Sequence, residues 1–220
     1  VAETFNVQKN FIDYVSHELR TPIAALLGTL EVTQGRPRNV EEYQQTIEQL
    51  QQYTIDLQET LDKMMLLSGA KTSFEFSKIR IDEVIWQLIE HMILYHQAQI
   101  EVDIQVEDNA MLSLDGNEKL LELAIGNIIE NAIKYSNNQI VKIIFTQRRG
   151  RLVILIVDRG IGIPVQDLQN IKNNFYRGHN TAGYQGKGVG LSIANIVFAL
   201  HGITVLINSD QEGTTVELSF

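Results

Sequence analysis

His17 stands out in this sequence as a histidine whose neighbours suggest chemistry rather than packing. It lies in segment 16–22, SHELRTP, within a stretch of helical periodicity. At about 100° per residue, His17 is roughly 200° away from the apolar positions Val15 and Leu19. The imidazole should therefore face solvent. An ordinary surface histidine is the alternative interpretation.

Three neighbours give this imidazole chemical partners. Glu18 supplies a carboxylate that can orient the ring or take its proton. Thr21, one helical turn later, places a hydroxyl on the same exposed face. Pro22 removes a backbone donor and should bend the helix, a cost without a packing reward. We interpret His17 as a nucleophile.

Asn127 and Asn131 form a second group with chemical potential. They are four residues apart in a helical stretch, so both amides project from one face. Amide oxygens are hard ligands suited to Mg²⁺, which also takes phosphate oxygens and water. Lys134, three residues after Asn131, can meet a phosphate. A solvated helix face is the alternative.

Asp158 ends an apolar strand over residues 152–157, and Gly160 and Gly162 follow it. A strand-end carboxylate beside backbone without side chains can accept a hydrogen bond from a ligand's amino group. A tight turn is the alternative.

Closely spaced glycines precede the predicted helix 192–200. Gly186, Gly188 and Gly190 would let backbone amides and a helix N-terminus face phosphates. The segment fits neither the Rossmann fingerprint nor the Walker loop.

Glycine distribution separates two halves that would position these groups. Residues 1–73 hold 3 of the 15 glycines, and the rest of the chain holds 12. Apolar residues in the first half recur at alternating steps of three and four, which predicts two helices with a coiled-coil-type seam. A break at 35–39 separates the helices, with Asn39 as N-cap. Since two helices cannot close a core, we predict a four-helix bundle made by two chains.

The second half mixes strands and helices. Segments 100–106, 139–147, 151–158, 203–208 and 214–220 have strand character, and 117–135 and 189–201 have helical spacing. This predicts an α/β sandwich with a mixed sheet. We predict domains at residues 1–73 and 74–220, joined within 68–77.

Composition excludes several function classes. The net charge of -9, without a basic stripe, argues against a nucleic-acid binder. The absence of cysteine excludes disulfides, thiol catalysis and zinc–cysteine sites. No apolar run reaches the length of a membrane span, and the start does not resemble a signal peptide. We expect no membrane contact by this fragment.

Residues 11–22, FIDYVSHELRTP, resemble the phosphoacceptor box of sensor histidine kinases. The resemblance implies that His17 is phosphorylated with help from Glu18. It also implies that Glu18 and Thr21 support phosphatase activity on a response regulator. Further implications are a homodimer and a response-regulator receiver domain as partner.

The groups around Asn131, Asp158 and Gly188, in this order, resemble the ATP-binding boxes of the same kinases and of gyrase-type and Hsp90-type ATPases. The resemblance covers residues 5–220 and implies ATP and Mg²⁺ as cofactors. It places Asp158 on the adenine amino group, Asn131 and Asn127 on the metal, and Lys134 and Arg177 on phosphate. The other nucleotide-binding positions it implies are Tyr135, Gly160, Gly162, Ile163, Gly186, Gly188, Gly190, Leu191 and Thr215.

Residues 165–187 correspond to the mobile lid of that family. Lys172 stands where the family commonly has a phenylalanine, which puts the packing of the lid in question. Asn127 stands where gyrase-type relatives have a glutamate that activates water, and we expect Glu130 to point away. The residues therefore favour a kinase over two alternatives, a superfamily ATPase and a degenerate binding module. The resemblance also implies a cytoplasmic fragment of a bacterial membrane-bound sensor.

Overall fold

The structure is a computed structural model that describes residues 2–68, 74–184, 186 and 188–220. The chain separates into two compact units, residues 1–72 and 73–220. The predicted joint at 68–77 lies largely outside the described residues, because 69–73 are among those left out. In the part that is described, no helix is both long and apolar enough to cross a membrane.

The first unit is a helical hairpin of α1 (Ala2–Gln34) and α2 (Val40–Ser68). Asn39 caps α2 as predicted: its Oδ1 accepts the N–H of Glu42 at 2.8 Å, and the Glu42 carboxylate accepts the N–H of Asn39 at 3.1 Å. Arg36 and Arg38 also pair with Glu42. The hydrogen bond from Arg36 contributes most to holding the pKa of Glu42 below its ordinary value. One carboxylate thus organises the hairpin turn.

The second unit begins with β1 (Ser77–Arg80), α3 (Ile81–His96), β2 (Ile100–Ile104) and β3 (Ser113–Gly116). It continues with α4 (Glu118–Tyr135), β4 (Val141–Arg148) and β5 (Arg151–Asp158). The last elements are α5 (Gly190–Leu200), β6 (Thr204–Asp210) and β7 (Gly213–Ser219). Single 3₁₀ turns occur at Asn109–Leu112 and His179–Thr181. The short strands β1 and β3 and the helix α3 are not among the elements predicted from the sequence.

Five strands form a mixed sheet in the order β2-β4-β5-β7-β6. The β2–β4 pair is parallel and the other pairs are antiparallel. Alternate residues of β4 and β5, including Ile143, Phe145, Ile154 and Ile156, are almost fully buried, so one sheet face forms the core. The predicted fold, a helical hairpin followed by an α/β domain with a mixed sheet, is confirmed.

His201 connects the N-terminus of α4 to the last turn of α5. The N–H of Asn117 donates to its Nε2 at 3.0 Å, and its Nδ1 lies 2.8 Å from the carbonyl of Val197. Nε2 must therefore be the unprotonated nitrogen. The ring also stacks on Phe76, with centroids 4.7 Å apart. The two helices that border the cavity described below are thus fixed to each other.

We predict that His201→Phe lowers the free energy of unfolding by about 1–2 kcal/mol, because it keeps an aromatic ring but leaves the Asn117 N–H without its acceptor. Urea unfolding followed by fluorescence of Trp86, the only tryptophan, would measure it. The control is His96→Phe at an exposed site, which should change stability by less than about 0.5 kcal/mol. Equal stability of both variants would contradict the prediction.

Candidate functional site: a cavity between two helices and a sheet edge

A cavity of about 300 Å³ lies in the second unit, between α4, the end of β5, the turn 159–163, the lid and the start of α5. This volume is at the lower end of the range for small-molecule sites. Twelve residues predicted from the sequence line it: Asn127, Asn131, Lys134, Tyr135, Asp158, Gly162, Ile163, Arg177, Gly186, Gly188, Gly190 and Leu191. Residues from three distant segments thus come together.

Asp158 is the buried carboxylate of this cavity, with 8% of its surface exposed. It accepts the N–H of Gly160 at 2.8 Å and the N–H of Thr214 on β7. Burial raises the pKa of Asp158, and these two N–H groups oppose the rise without cancelling it. The side chain is therefore a fixed acceptor at the bottom of the cavity.

Gly160 and Gly162 allow the turn 159–163 to pack closely against the backbone of neighbouring elements. A Cβ at Gly160 would lie 2.5 Å from the carbonyl oxygen of Tyr135, so the turn could not approach the end of α4. Gly162 has a φ of +64°, and a Cβ there would overlap the carbonyl oxygen of Asp210. The N–H of Ile163 then donates to Ser209 Oγ at 2.8 Å. Gly160 itself does not line the cavity.

Asn127 and Asn131 lie on α4 at the other end of the cavity. The amide nitrogen of Asn127 donates to the carbonyl of Leu123 at 2.8 Å. Its Oδ1 faces the start of α5, where a Cβ at Gly190 would lie 2.4 Å from it. Among the described residues, no group of three or more histidine, cysteine or acidic side chains could hold a metal. The amide oxygens of these two asparagines, together with phosphates and water, are ligands that fit Mg²⁺.

Lys134 and Tyr135 end α4 beside the lid. The Lys134 Nζ lies 3.4 Å from the Tyr135 hydroxyl and 4.6 Å from the centroid of its ring. The Tyr184 ring of the lid meets Tyr135 edge-on at 5.1 Å, and its hydroxyl donates to Asn137 Oδ1 at 3.1 Å. The lid thus contacts the rim of the cavity through aromatic side chains.

Arg177 is held by the lid itself. Its Nη2 donates to the carbonyls of Thr181 at 2.7 Å and Tyr184 at 2.5 Å. Lys172, the departure from the family pattern, donates from Nζ to the Val205 carbonyl of the edge strand β6 at 3.2 Å. A polar contact to the sheet therefore occurs where a phenylalanine was expected. Gln185 and Lys187 of the lid lie outside the described residues.

Besides Gly160, two expectations need correction. Thr215 does not line the cavity, whereas Thr214 and Val216 do, because successive residues of a strand point to opposite faces. Glu130, expected to point away, is among the lining residues. Sequence reasoning also missed Asn180, which lines the cavity and donates to the Gly162 carbonyl at 2.9 Å. It has no periodic pattern that could have marked it.

His17 lies in the first unit, on α1, and 66% of its side chain is exposed. The Glu18 Oε1 is 3.9 Å from its Nδ1, and the Thr21 hydroxyl donates to its carbonyl at 3.4 Å. Helix α1 continues through Pro22 without interruption. The predicted exposure of the imidazole is therefore observed, next to the predicted carboxylate.

Two family models match the chain. Residues 7–72 match the His Kinase A (phospho-acceptor) domain. Residues 116–220 match the histidine kinase-, DNA gyrase B- and HSP90-like ATPase family. The first match includes His17, and the second includes all residues that line the cavity.

Curated relatives match almost the whole chain. The heme sensor protein HssS of Staphylococcus saprophyticus is 31% identical over 98% of this chain and 47% of its own length. The histidine-protein kinase ArlS of Staphylococcus aureus is 31% identical over 100% of this chain and 50% of its own. The sensor-like histidine kinase SenX3 of Mycobacterium tuberculosis is 29% identical over 96% and 53%. The chain spans about half the length of these relatives.

Solved structures support the fold. Full-length ShkA in complex with AMPPNP has a TM-score of 0.65 at 21% identity, covering 93% of this chain and 44% of that one. The mycobacterial sensor histidine kinase MprB has a TM-score of 0.56 at 24% identity, covering 66% and 95%. With both family models matched and with relatives similar to almost the whole of this chain, we conclude that the chain belongs to the sensor histidine kinases, the enzymes of two-component signalling.

Proposed function

We propose that this chain is the catalytic core of a kinase that phosphorylates its own His17 with ATP and passes the phosphoryl group to an aspartate of a response regulator. The observation that carries the proposal is the exposed His17–Glu18 pair within the phospho-acceptor match. It occurs in one chain with a cavity of the ATPase family. Residues 1–73 would serve dimerisation and phosphotransfer, and residues 74–220 would bind ATP.

His17 has the geometry for nucleophilic attack. With Glu18 on the Nδ1 side of the ring, a proton held on Nδ1 leaves the lone pair on Nε2 for the phosphorus. His17 Nε2 would form the new N–P bond while the bond from the γ-phosphorus to the oxygen of ADP breaks. Glu18 stabilises the positive charge that develops on the ring.

The cavity offers suitable partners for both ends of an ATP molecule, the adenine and the phosphates. Asp158, a fixed acceptor, suits the amino group of adenine, and the glycines 186, 188 and 190 suit the phosphates at the start of α5. Asn127 and Asn131 would hold Mg²⁺, which supplies charge neutralisation when bound. Lys134 and Arg177 add positive charge near the transferred group.

Exposed apolar side chains support the proposed dimer. Several large apolar residues of the hairpin are 41–55% exposed in the single chain, among them Ile23, Leu27, Leu30, Ile47 and Leu61. A second hairpin packed on them would bury this surface as a four-helix bundle. The receiver domain of the regulator would approach His17. The full-length protein would be a membrane-bound sensor with this part in the cytoplasm.

His17→Gln is expected to abolish phosphate incorporation and to leave ATP affinity within about twofold, because the glutamine amide is not a nucleophile and the cavity belongs to another unit. Labelled ATP and nucleotide titration would measure the two effects. The control is His96→Gln, another exposed histidine, which should incorporate phosphate normally. Acid-labile phosphate on the His17 variant would refute the acceptor assignment.

Asp158→Asn should weaken ATP binding by about 10- to 100-fold, because an ionised acceptor is lost. Stability should not fall at neutral pH. Because the pKa of Asp158 is raised in the folded protein, the free energy of unfolding of the wild type is highest below the pKa that Asp158 has in the unfolded chain. It declines as the pH rises through the pKa of the folded state. The asparagine variant lacks this decline.

Calorimetric titration with ATP and unfolding curves between pH 4 and 8 would test both statements for Asp158→Asn. The control is Asp115→Asn at an exposed site on β3, which should change neither quantity. Unchanged affinity, or a large loss of stability at pH 7, would contradict the assignment.

Thr21→Ala should spare autophosphorylation and slow dephosphorylation of the regulator by about tenfold, because the hydroxyl is placed to orient an attacking water. Thr33→Ala is the matched control, since Thr33 makes the same kind of bond, to the Thr29 carbonyl at 2.6 Å, three turns later. Decay of the phosphorylated regulator would be followed with each protein. Equal decay rates for the two variants would count against a role for Thr21.

A further inference from the structure

Asp167 is a buried carboxylate at the start of the lid that does not line the cavity. It is fully inaccessible to solvent. Its backbone belongs to the turn after Pro164, whose carbonyl accepts its N–H at 2.8 Å. Its side chain reaches forward along the chain to residues 176–179. A buried charge at such a position requires partners.

Three donors from one short segment converge on this carboxylate. The Tyr176 hydroxyl donates to Oδ1 at 2.7 Å, and the His179 ring donates to the same oxygen from Nδ1 at 2.6 Å. The His179 N–H donates to Oδ2 at 2.8 Å. Burial alone would raise the pKa of Asp167, but these hydrogen bonds outweigh burial and hold the pKa below its ordinary value.

Arg177 lies between the two anchored residues. Tyr176 on one side and His179 on the other are both fixed to Asp167, so the backbone of Arg177 is held at both ends. A separate contact, from Asn180 to the Gly162 carbonyl, fixes the same segment to the turn beside Asp158. The segment forms one wall of the cavity, and Arg177 is the residue of this segment that brings a positive charge to the lining.

We propose that Asp167 is a positioning residue for catalysis, which fixes the segment 176–179 so that Arg177 meets the transferred phosphoryl group. The inference rests on the proposed kinase function and extends it to a residue outside the cavity. Asp167 does not touch the nucleotide, and its effect on the reaction passes through Arg177. Small displacements of a positioned group are enough to lower rates strongly.

A double-mutant cycle in the full chain tests this pathway. Asp167→Asn keeps the shape of the side chain, removes its charge and turns one acceptor into a donor that faces the N–H and O–H donors. We expect its autophosphorylation rate at saturating ATP to fall about tenfold, while KM for ATP changes less than about threefold. Arg177→Ala should lower the rate at least as much. The double variant should match Arg177→Ala within about twofold.

A second measurement is independent of kinase activity. The His179 amide donates directly to Asp167, so its hydrogen exchange should accelerate about tenfold or more in Asp167→Asn. Tyr176→Phe, which removes one of the three donors, should shift both measurements in the same direction by a smaller factor. This variant keeps the test open if Asp167→Asn does not fold.

Asp82→Asn is the matched control. Asp82 is also a largely buried carboxylate with a lowered pKa, caused mainly by its hydrogen bond with Arg80, and it lies at the start of α3. This variant should change neither the rate nor the exchange at His179.

The proposal would be overturned if the rate losses of the two single variants multiplied in the double variant. It would also be overturned if the autophosphorylation rate of Asp167→Asn stayed within twofold of wild type. Unchanged exchange at His179 would overturn it as well. A wild-type chain that incorporates no phosphate would instead refute the proposed function, with the exchange result unaffected.

Discussion

The cavity of the second unit depends on how one carboxylate is held at the end of a central strand. Asp158 is buried, and N–H groups from the following turn and from the neighbouring strand β7 hold it. Each of these donors is available only because a glycine lets backbone approach backbone: Gly160 against α4, and Gly213 against the Asp158 carbonyl. The folded unit thus carries an acceptor whose desolvation cost is only partly offset, a condition typical of groups that await a ligand.

Periodicity made much of this arrangement predictable. The four-residue spacing of Asn127 and Asn131 placed both on one helix face, and both line the cavity. Asp158 followed from the end of an apolar strand, and Asn39 from the rules of helix capping. In each case a local pattern determines the position of the side chain, so no long-range information was required. The chemical roles of these residues stay predictions.

Other features depend on contacts between segments that are distant in sequence. The choice between Thr214 and Thr215 follows from the register of β7 against β5, which pairs Asp158 with Thr214. No local pattern fixes that register. Asp167 and Asn180 are polar residues in an irregular segment, and only the folded lid reveals their partners. The partner of Lys172, the Val205 carbonyl of the edge strand β6, is likewise distant in sequence.

The hydrogen bonds of Arg177 have a consequence for the energetics of ligand recognition. Its Nη2 donates to two carbonyls of the lid, so a phosphate that bound this nitrogen would have to displace these internal acceptors. The net free energy gained would be that of the new bond to phosphate minus that of the two bonds to carbonyls, and therefore less than the new bond alone would contribute. The availability of this nitrogen is therefore coupled to the conformation of residues 181–184, whose backbone supplies the two carbonyls.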